Sequence, residues 1–127
     1  FPEVVSLWYT VNAKKNDAWH DLTCEKAYGE DYLYTRLDHV RFCIGPKSFF
    51  QTNRNQTEQL YRIVEQYAGL TGRENVYDLY CGVGSIGIYL AHKASKVTGI
   101  EEIAEAIAFA EASPIPPPQE LLANVFA

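Results

Sequence analysis

The chain has few cysteines and no long apolar run. It has no methionine and only three cysteines, none in a C-x-x-C spacing. This pattern fits a reducing cytoplasm better than a disulfide framework or a metal site. No apolar run approaches the roughly 20 residues that cross a bilayer, and the first residues do not resemble a signal peptide. We therefore expect a cytoplasmic chain with no metal and no membrane partner, which begins partway through a longer protein.

The charge of the chain is unevenly distributed. The 127 residues carry a net charge of −5. Residues 1–60 contain seven Lys or Arg and eight Asp or Glu, whereas residues 61–127 contain four and eight. A protein that neutralises many phosphates usually shows a basic face. The composition therefore argues mildly against nucleic acid, although a local basic patch is compatible with a neutral total.

The most informative stretch is residues 76–87, VYDLYCGVGSIG. Its first five residues are rich in β-formers and too few for a helix. Gly82, Gly84 and Gly87 follow at G-x-G-x-x-G spacing, and a helical pattern begins at once. Gly82 and Gly84 can adopt φ > 0 and let a ligand approach the backbone. The free N–H groups of the next helix would favour an anionic group on that ligand.

A second predicted strand, residues 96–100, ends in Glu101, nineteen residues after Gly82. This is near the spacing at which an acidic side chain meets the two hydroxyls of a ribose. The glycine turn alone is a weak signal. A glycine turn, a helix, a second strand and a terminal acid together predict a nucleotide-binding unit.

The remaining sequence predicts strands first and helices later. Residues 4–12, 22–28, 31–37 and 40–44 are expected to form a small antiparallel meander, with a hairpin connection at Gly29–Glu30. An amphipathic helix is expected around Leu60, Ile63, Val64 and Tyr67, ending near Gly69. A third helix should follow Glu101 and stop at Ser113–Pro114, before a proline-rich tail.

Several of these segments resemble one enzyme family. Residues 44–53 (IGPKSFFQTN), 78–84 (DLYCGVG) and 99–101 (GIE) look like the RNA uracil-5-methyltransferases. These enzymes use S-adenosylmethionine to make 5-methyluridine in ribosomal or transfer RNA. The resemblance covers roughly residues 4–111. The F-F-Q-T-N loop makes it quite specific, because a generic methyltransferase or dehydrogenase would show only the glycine turn.

The resemblance implies an α/β fold in which the meander precedes the first part of a Rossmann-like methyltransferase domain. The expected divisions are an antiparallel β segment (residues 1–46), the N-terminal part of the cofactor domain (47–112) and a proline-rich tail (113–127). Only two parallel strands can be found, so the sheet is incomplete and its unpaired edges could support self-association.

The resemblance also implies the cofactor site. Gln51, Tyr80, Ser85 and Glu101 match cofactor-contacting positions of the family, and Glu101 would accept hydrogen bonds from the ribose. Asp78 is expected to order the glycine loop through backbone N–H groups in preference to touching the ligand directly. The candidate residues for S-adenosylmethionine are therefore Gln51, Asp78, Tyr80, Gly82, Gly84, Ser85 and Glu101.

The sequence departs from the family pattern after Glu101. The family's attacking cysteine and its later acidic base lie in downstream segments that these 127 residues do not contain. Cys81 has no His or Lys nearby in sequence to lower its pKa, so it is interpreted as a structural thiol. No catalytic residue is assigned, and the chain alone is expected to be inactive although its parent enzyme would act on RNA.

Two other functions remain open. The glycine spacing and Glu101 also fit the dinucleotide site of an NAD-type oxidoreductase. Against it, Asp78 lies four residues before the first glycine, where a carboxylate suits a methionine-derived cofactor better than a pyrophosphate. The open sheet edge and the proline-rich tail are compatible with a non-catalytic interaction module.

Overall fold

The strands form pairs, and two helices connect the later ones. The computed structural model describes residues 1–16 and 21–102, so the predicted third helix and the tail lie outside the described residues. The described elements, in chain order, are β1 (Ser6–Tyr9), β2 (Glu25–Gly29), β3 (Leu33–Leu37), β4 (Val40–Ile44), α1 (Arg54–Ala68), β5 (Asn75–Leu79), α2 (Ser85–Leu90) and β6 (Lys96–Ile100). A short 3₁₀ turn, Ala91–Lys93, follows α2. No helix in residues 1–16 and 21–102 is long and apolar enough to cross a membrane.

The predicted meander is wrong in one connection. β2 pairs with β1 and β3 pairs with β4, both antiparallel, and no ladder joins β2 to β3 within the described residues. The Glu30 N–H group donates to the Val5 carbonyl at 2.9 Å, which extends the pairing with β1 beyond Gly29. Gly29 has φ +80°, and a Cβ atom there would lie 2.0 Å from the Val5 oxygen. Gly29–Glu30 therefore ends β2 instead of turning it back against β3.

The β3–β4 hairpin supplies one side of the core. Asp38 and His39 form its two-residue turn, and Asp38 adopts φ 48°, a conformation that Asp and Asn tolerate better than most residues. The buried core residues come from this hairpin and from both helices: Leu37, Val40, Phe42, Tyr61, Tyr89 and Leu90. Burial of these side chains is the main force that holds the hairpin against the helices.

Helix α1 ends at Gly69 as the sequence predicts, but of its predicted apolar residues only Val64 packs against the core. Gly69 caps its C-terminus in the left-handed conformation. The buried positions are Thr57 and Tyr61, whereas the predicted apolar residues Leu60 and Ile63 are about half exposed and Tyr67 is 86% exposed. The hydroxyl of Tyr61 bonds to a polar partner in α2, so burial of its ring does not leave that hydroxyl without a hydrogen bond.

The predicted parallel strand pair is confirmed. β5 and β6 pair in parallel, with Val76 opposite Val97 and Leu79 opposite Ile100. The connecting helix α2 has only six residues, and by Ala94 the chain is already in extended conformation. α2 covers one face of this strand pair. The other face exposes large apolar side chains: Tyr77, Leu79 and Ile100.

A polar network joins the hairpin turn to both helices. The Asp38 carboxylate accepts hydrogen bonds from the Arg62 guanidinium of α1, with Nε at 2.9 Å, and from the Tyr89 hydroxyl of α2 at 2.7 Å. These two donors, Arg62 first, lower the pKa of Asp38 to about 2. The pKa of Tyr89 is raised, first by burial of its hydroxyl and then by the neighbouring Asp38 carboxylate. Three elements that are distant in sequence thus meet at one carboxylate.

We predict that Asp38→Asn lowers the free energy of unfolding by about 1–2 kcal/mol at pH 7, because it removes a charged acceptor that is partly screened by solvent. Asn tolerates the same backbone conformation, so turn strain should not change. The folded-state pKa of Asp38 lies below its ordinary value of 3.8. The stabilisation is therefore present above about pH 4 and disappears as the pH falls through about 2.

Urea unfolding of both proteins between pH 7 and pH 2 measures this difference. Asp31→Asn is the matched control, because Asp31 forms a surface ion pair with Lys26 and its side chain is 64% exposed. An Asp38→Asn effect that equals the control, or that persists unchanged at pH 2, would contradict the prediction.

Candidate functional site

The glycine loop connects the end of β5 to the start of α2 in a tight backbone path. Tyr80, Gly82 and Gly84 have φ values of 56°, 56° and 72°. The Cys81 N–H group donates to the Ile100 carbonyl of β6 at 3.2 Å. The sequence predicted positive φ at both glycines, and this is confirmed. The sequence did not predict a positive φ at Tyr80, where the side chain makes this conformation cost about 1–2 kcal/mol.

Two carboxylates at the ends of neighbouring strands bind the backbone of this loop. Asp78 Oδ2 accepts a hydrogen bond from the Gly87 N–H group at 2.8 Å. Glu101 Oε2 accepts one from Gly82 at 2.6 Å, and Oε1 accepts one from Glu102 at 2.8 Å. Because β5 and β6 are parallel, the two acids emerge at the same end of the strand pair. Asp78 thus accepts a backbone N–H bond, as the sequence predicted.

These bonds narrow the expectation of free N–H groups for an anionic ligand, because one such group in the first turn of α2 and one in the loop are already bound by carboxylates. Asp78 occupies the N–H group of Gly87, in the first turn of α2, and Glu101 occupies that of Gly82 in the loop. Burial raises the pKa of Asp78, and the Gly87 bond only partly opposes this shift. The loop therefore offers incoming ligands a surface whose nearest charged groups are acidic.

The third glycine of the motif brings α2 close to β5. A Cβ atom at Gly87 would lie 2.9 Å from Asp78 Oδ2 and 3.0 Å from Val97 Cγ1. Both distances are too short for a methyl group without movement of these neighbours. Gly87 is therefore required by packing, whereas Gly82 and Gly84 are required by their backbone conformation.

Ser85 begins α2 and bonds to α1. Its hydroxyl lies 2.7 Å from the Tyr61 hydroxyl, and burial raises the pKa of Tyr61, so the phenol stays protonated. Sequence reasoning missed Tyr61 because Leu60 and Ile63 beside it suggested another buried face. The signal that could have found it is the four-residue step from Thr57 to Tyr61 on one face of α1.

The loop that precedes α1 is held at both of its ends. The Phe50 ring packs on Phe42 with centroids 5.2 Å apart, and the Asn53 side chain caps α1 by accepting from Gln56 N–H at 3.2 Å. Gln51, between them, is exposed and makes no side-chain hydrogen bond to the described part of the chain. Tyr80 is 85% exposed. The described hydrogen bonds thus tie Glu101 to Gly82 and Asp78 to α2, the hydroxyl of Ser85 bonds to α1, and Gln51 and Tyr80 lie at the surface.

Cys81 lies inside this loop but is poorly suited to nucleophilic attack. Its pKa is raised, first by burial and then by the nearby carboxylates of Asp78 and Glu101. A thiol whose pKa is raised is mostly protonated at neutral pH and reacts slowly. This agrees with the interpretation of Cys81 as a structural thiol.

No family model matches the chain. It is 47% identical over 107 residues to proteins named as uncharacterised RNA methyltransferases from Bacteroides thetaiotaomicron and Porphyromonas gingivalis, matching 84% of this chain. Among solved structures, it resembles the Pyrococcus abyssi tRNA (uracil-54, C5)-methyltransferase in complex with S-adenosyl-L-homocysteine. That match has 37% identity and a TM-score of 0.65, and covers 84% of this chain and 26% of the archaeal one.

The chain resembles a region of the RNA methyltransferases. This confirms the family resemblance predicted from residues 44–53, 78–84 and 99–101. The chain spans about a quarter of the length of these methyltransferases. The similarity therefore covers one region of such an enzyme.

We predict that Gly87→Ala destabilises this methyltransferase-like region by about 1–3 kcal/mol, because the added methyl group crowds Asp78 and Val97. Helix propensity alone would give the opposite sign, a gain of about 1 kcal/mol. Urea unfolding of the two single variants and of the Gly87→Ala, Val97→Ala double variant measures the effect. The double variant should lose less free energy of unfolding than the two single variants lose together, since Val97→Ala leaves room for the added methyl group. A stabilised Gly87→Ala variant would contradict the packing role of Gly87.

Proposed function

We propose that this chain forms part of the S-adenosylmethionine-binding region of an RNA (uracil-5-)-methyltransferase. The similarity to RNA methyltransferases and to a solved tRNA uracil-5 enzyme supports the reaction class. That solved enzyme was in complex with S-adenosyl-L-homocysteine, which supports the choice of cofactor. RNA is then the substrate of the whole protein.

The observation that carries this proposal is the pair of carboxylates bound to the glycine loop. Asp78 binds the N–H group of Gly87 and Glu101 that of Gly82, and the two carboxylates place negative charge beside the loop. S-adenosylmethionine has a positively charged sulfonium and no phosphate, so this environment favours it. An acid at the position of Glu101 would suit the ribose of NAD as well, but Asp78, bound to the first turn of α2 where a pyrophosphate would lie, would repel the two phosphates of NAD. The alternative of an NAD-type oxidoreductase is therefore the weaker proposal.

In the proposed site, Glu101 anchors the ribose. Each carboxylate oxygen has two lone pairs. In the described structure Oε2 accepts from Gly82 and Oε1 from Glu102, and in the proposal the carboxylate also accepts from the ribose hydroxyls. Gly82 and Gly84 allow the cofactor to approach the backbone, and Asp78 holds α2 in place. Ser85, Tyr80 and Gln51 are the proposed remaining contacts.

The division of the chain and the completion of the fold are part of the same proposal. We propose that residues 1–46 adjoin a Rossmann-like cofactor domain whose first part is residues 47–112, followed by the tail at 113–127. The parallel pairing of β5 and β6 across the glycine loop supports the Rossmann-like assignment. When bound, S-adenosylmethionine would supply the methyl group for carbon 5 of uridine, and no residue of this chain is given a catalytic role.

We predict that S-adenosylhomocysteine binds the folded chain, and that Glu101→Ala weakens binding by about 1–3 kcal/mol, the range for hydrogen bonds to a charged group. Glu101→Gln keeps an acceptor for Gly82, and so separates loss of the ribose contact from loosening of the loop. Glu102→Ala is the matched control, since Glu102 is the exposed neighbour of Glu101.

Isothermal titration calorimetry of each variant, with circular dichroism to verify folding, measures these affinities. Tighter binding of NADH than of S-adenosylhomocysteine would reverse the order of the two proposals. Absence of S-adenosylhomocysteine binding to a folded chain, or equal losses in Glu101→Ala and Glu102→Ala, would contradict the proposed site.

Self-association through β5 and β6 is a further part of the proposal. Among the described strands β5 and β6 pair only with each other, so each has an edge that no other described strand covers, and their open face exposes Tyr77 (66%) and Leu79 (59%). Such edges and apolar faces favour contact with another chain. We predict that sedimentation velocity shows concentration-dependent association that Tyr77→Lys abolishes. Tyr28→Lys, at a 63% exposed site on β2, is the control. A wild-type chain that stays monomeric at all concentrations would contradict this prediction.

A further inference from the structure

The outward face of the β3–β4 hairpin combines two arginines with a tyrosine. Alternate residues of the hairpin face the core, including Leu37, Val40 and Phe42. The intervening residues Tyr34, Arg36 and Arg41 are exposed on the opposite face. This face is independent of the glycine loop and has no role in the proposed cofactor site.

The two arginines lie where charge repulsion costs stability. Arg36 and Arg41 are register partners, directly opposite one another across the hairpin. Like charges in this arrangement are destabilising. The nearest acids in sequence do not neutralise them, because Asp31 pairs with Lys26 and Asp38 pairs with Arg62. Within residues 1–16 and 21–102, no ion pair involves Arg36 or Arg41.

Both arginines are also oriented by local contacts. The Arg41 guanidinium lies over the Tyr34 ring, 4.6 Å from its centroid. Arg36 Nε donates to the Asp38 carbonyl at 2.9 Å. Tyr34 still exposes 49% of its surface. Pre-oriented guanidinium groups lose less conformational freedom when they bind a phosphate, and an exposed aromatic ring can stack on a base.

We infer that this hairpin face binds single-stranded RNA, with Arg36 and Arg41 on phosphates and Tyr34 stacked on a base. The choice of RNA over a protein partner rests on the proposed function. The chain as a whole carries a net charge of −5. On this face, however, two arginines without an ion pair in the described residues match the phosphates of a single strand, and the exposed ring matches the flat surface of a base. An acidic protein surface would match the charge alone.

The test is fluorescence anisotropy of the full chain with a labelled oligouridylate of about 12 nucleotides, across a range of salt concentrations. Arg36→Gln with Arg41→Gln should weaken binding and reduce the slope of log K against log salt by about 1.4. Tyr34→Ala should weaken binding about 5- to 150-fold, whereas Tyr34→Phe should retain most of it. Arg73→Gln, at an exposed arginine outside the hairpin, is the matched control.

Each variant is also tested for folding by circular dichroism and for S-adenosylhomocysteine binding by calorimetry. Retained cofactor binding in the hairpin variants separates this inference from the proposed function, whose failure would instead abolish cofactor binding in the wild type. The inference is overturned if the folded wild-type chain binds no RNA, which would leave the face to a protein partner. It is also overturned if Arg73→Gln equals the arginine pair, if Tyr34→Ala has no effect, or if duplex RNA binds equally well.

Discussion

The candidate site depends on two carboxylates that tie the glycine loop to the ends of two parallel strands. Asp78 bonds the first turn of α2, and Glu101 bonds the loop at Gly82. Without these acceptors the loop would carry unpaired N–H groups beside a left-handed Tyr80. In the proposed function the same two carboxylates favour a positively charged sulfonium over a phosphate, so one pair of interactions would serve both the fold of the loop and the choice of ligand.

The loop in turn relies on the contacts that fix α2. Tyr61 of α1 meets Ser85 at the start of α2, and Tyr89 near its end bonds Asp38 of the hairpin turn. A six-residue helix has little stability of its own, so tertiary contacts must hold it. The hairpin therefore supports the loop from one face while its other face, with Tyr34 and two arginines, remains open to a partner.

The features predicted correctly from sequence are mostly local ones. The glycine loop and its flanking strands are adjacent in the chain, and their spacing fixes both the parallel pairing and the position of Glu101. The wrong connection at Gly29–Glu30 concerned which strand pairs with β2, and this choice depends on residues that lie 16 to 23 positions away. The buried face of α1 was misjudged because its hydroxyl-bearing residues, Thr57 and Tyr61, find partners that hydrophobicity does not reveal. The Asp38 network spans separations of 24 and 51 residues, beyond any local pattern.

The most direct test of the central claim is a ¹H–¹⁵N correlation spectrum of the chain titrated with S-adenosylhomocysteine. If the carboxylate-tethered loop is the cofactor site, the largest amide shifts should occur at Gly82, Gly84 and Glu101, with smaller changes along α2. The β1–β2 pair should be unaffected and serves as an internal control. Shifts that fall mainly outside residues 78–87 and Glu101, or saturable binding without any change at Gly82, would contradict the assignment.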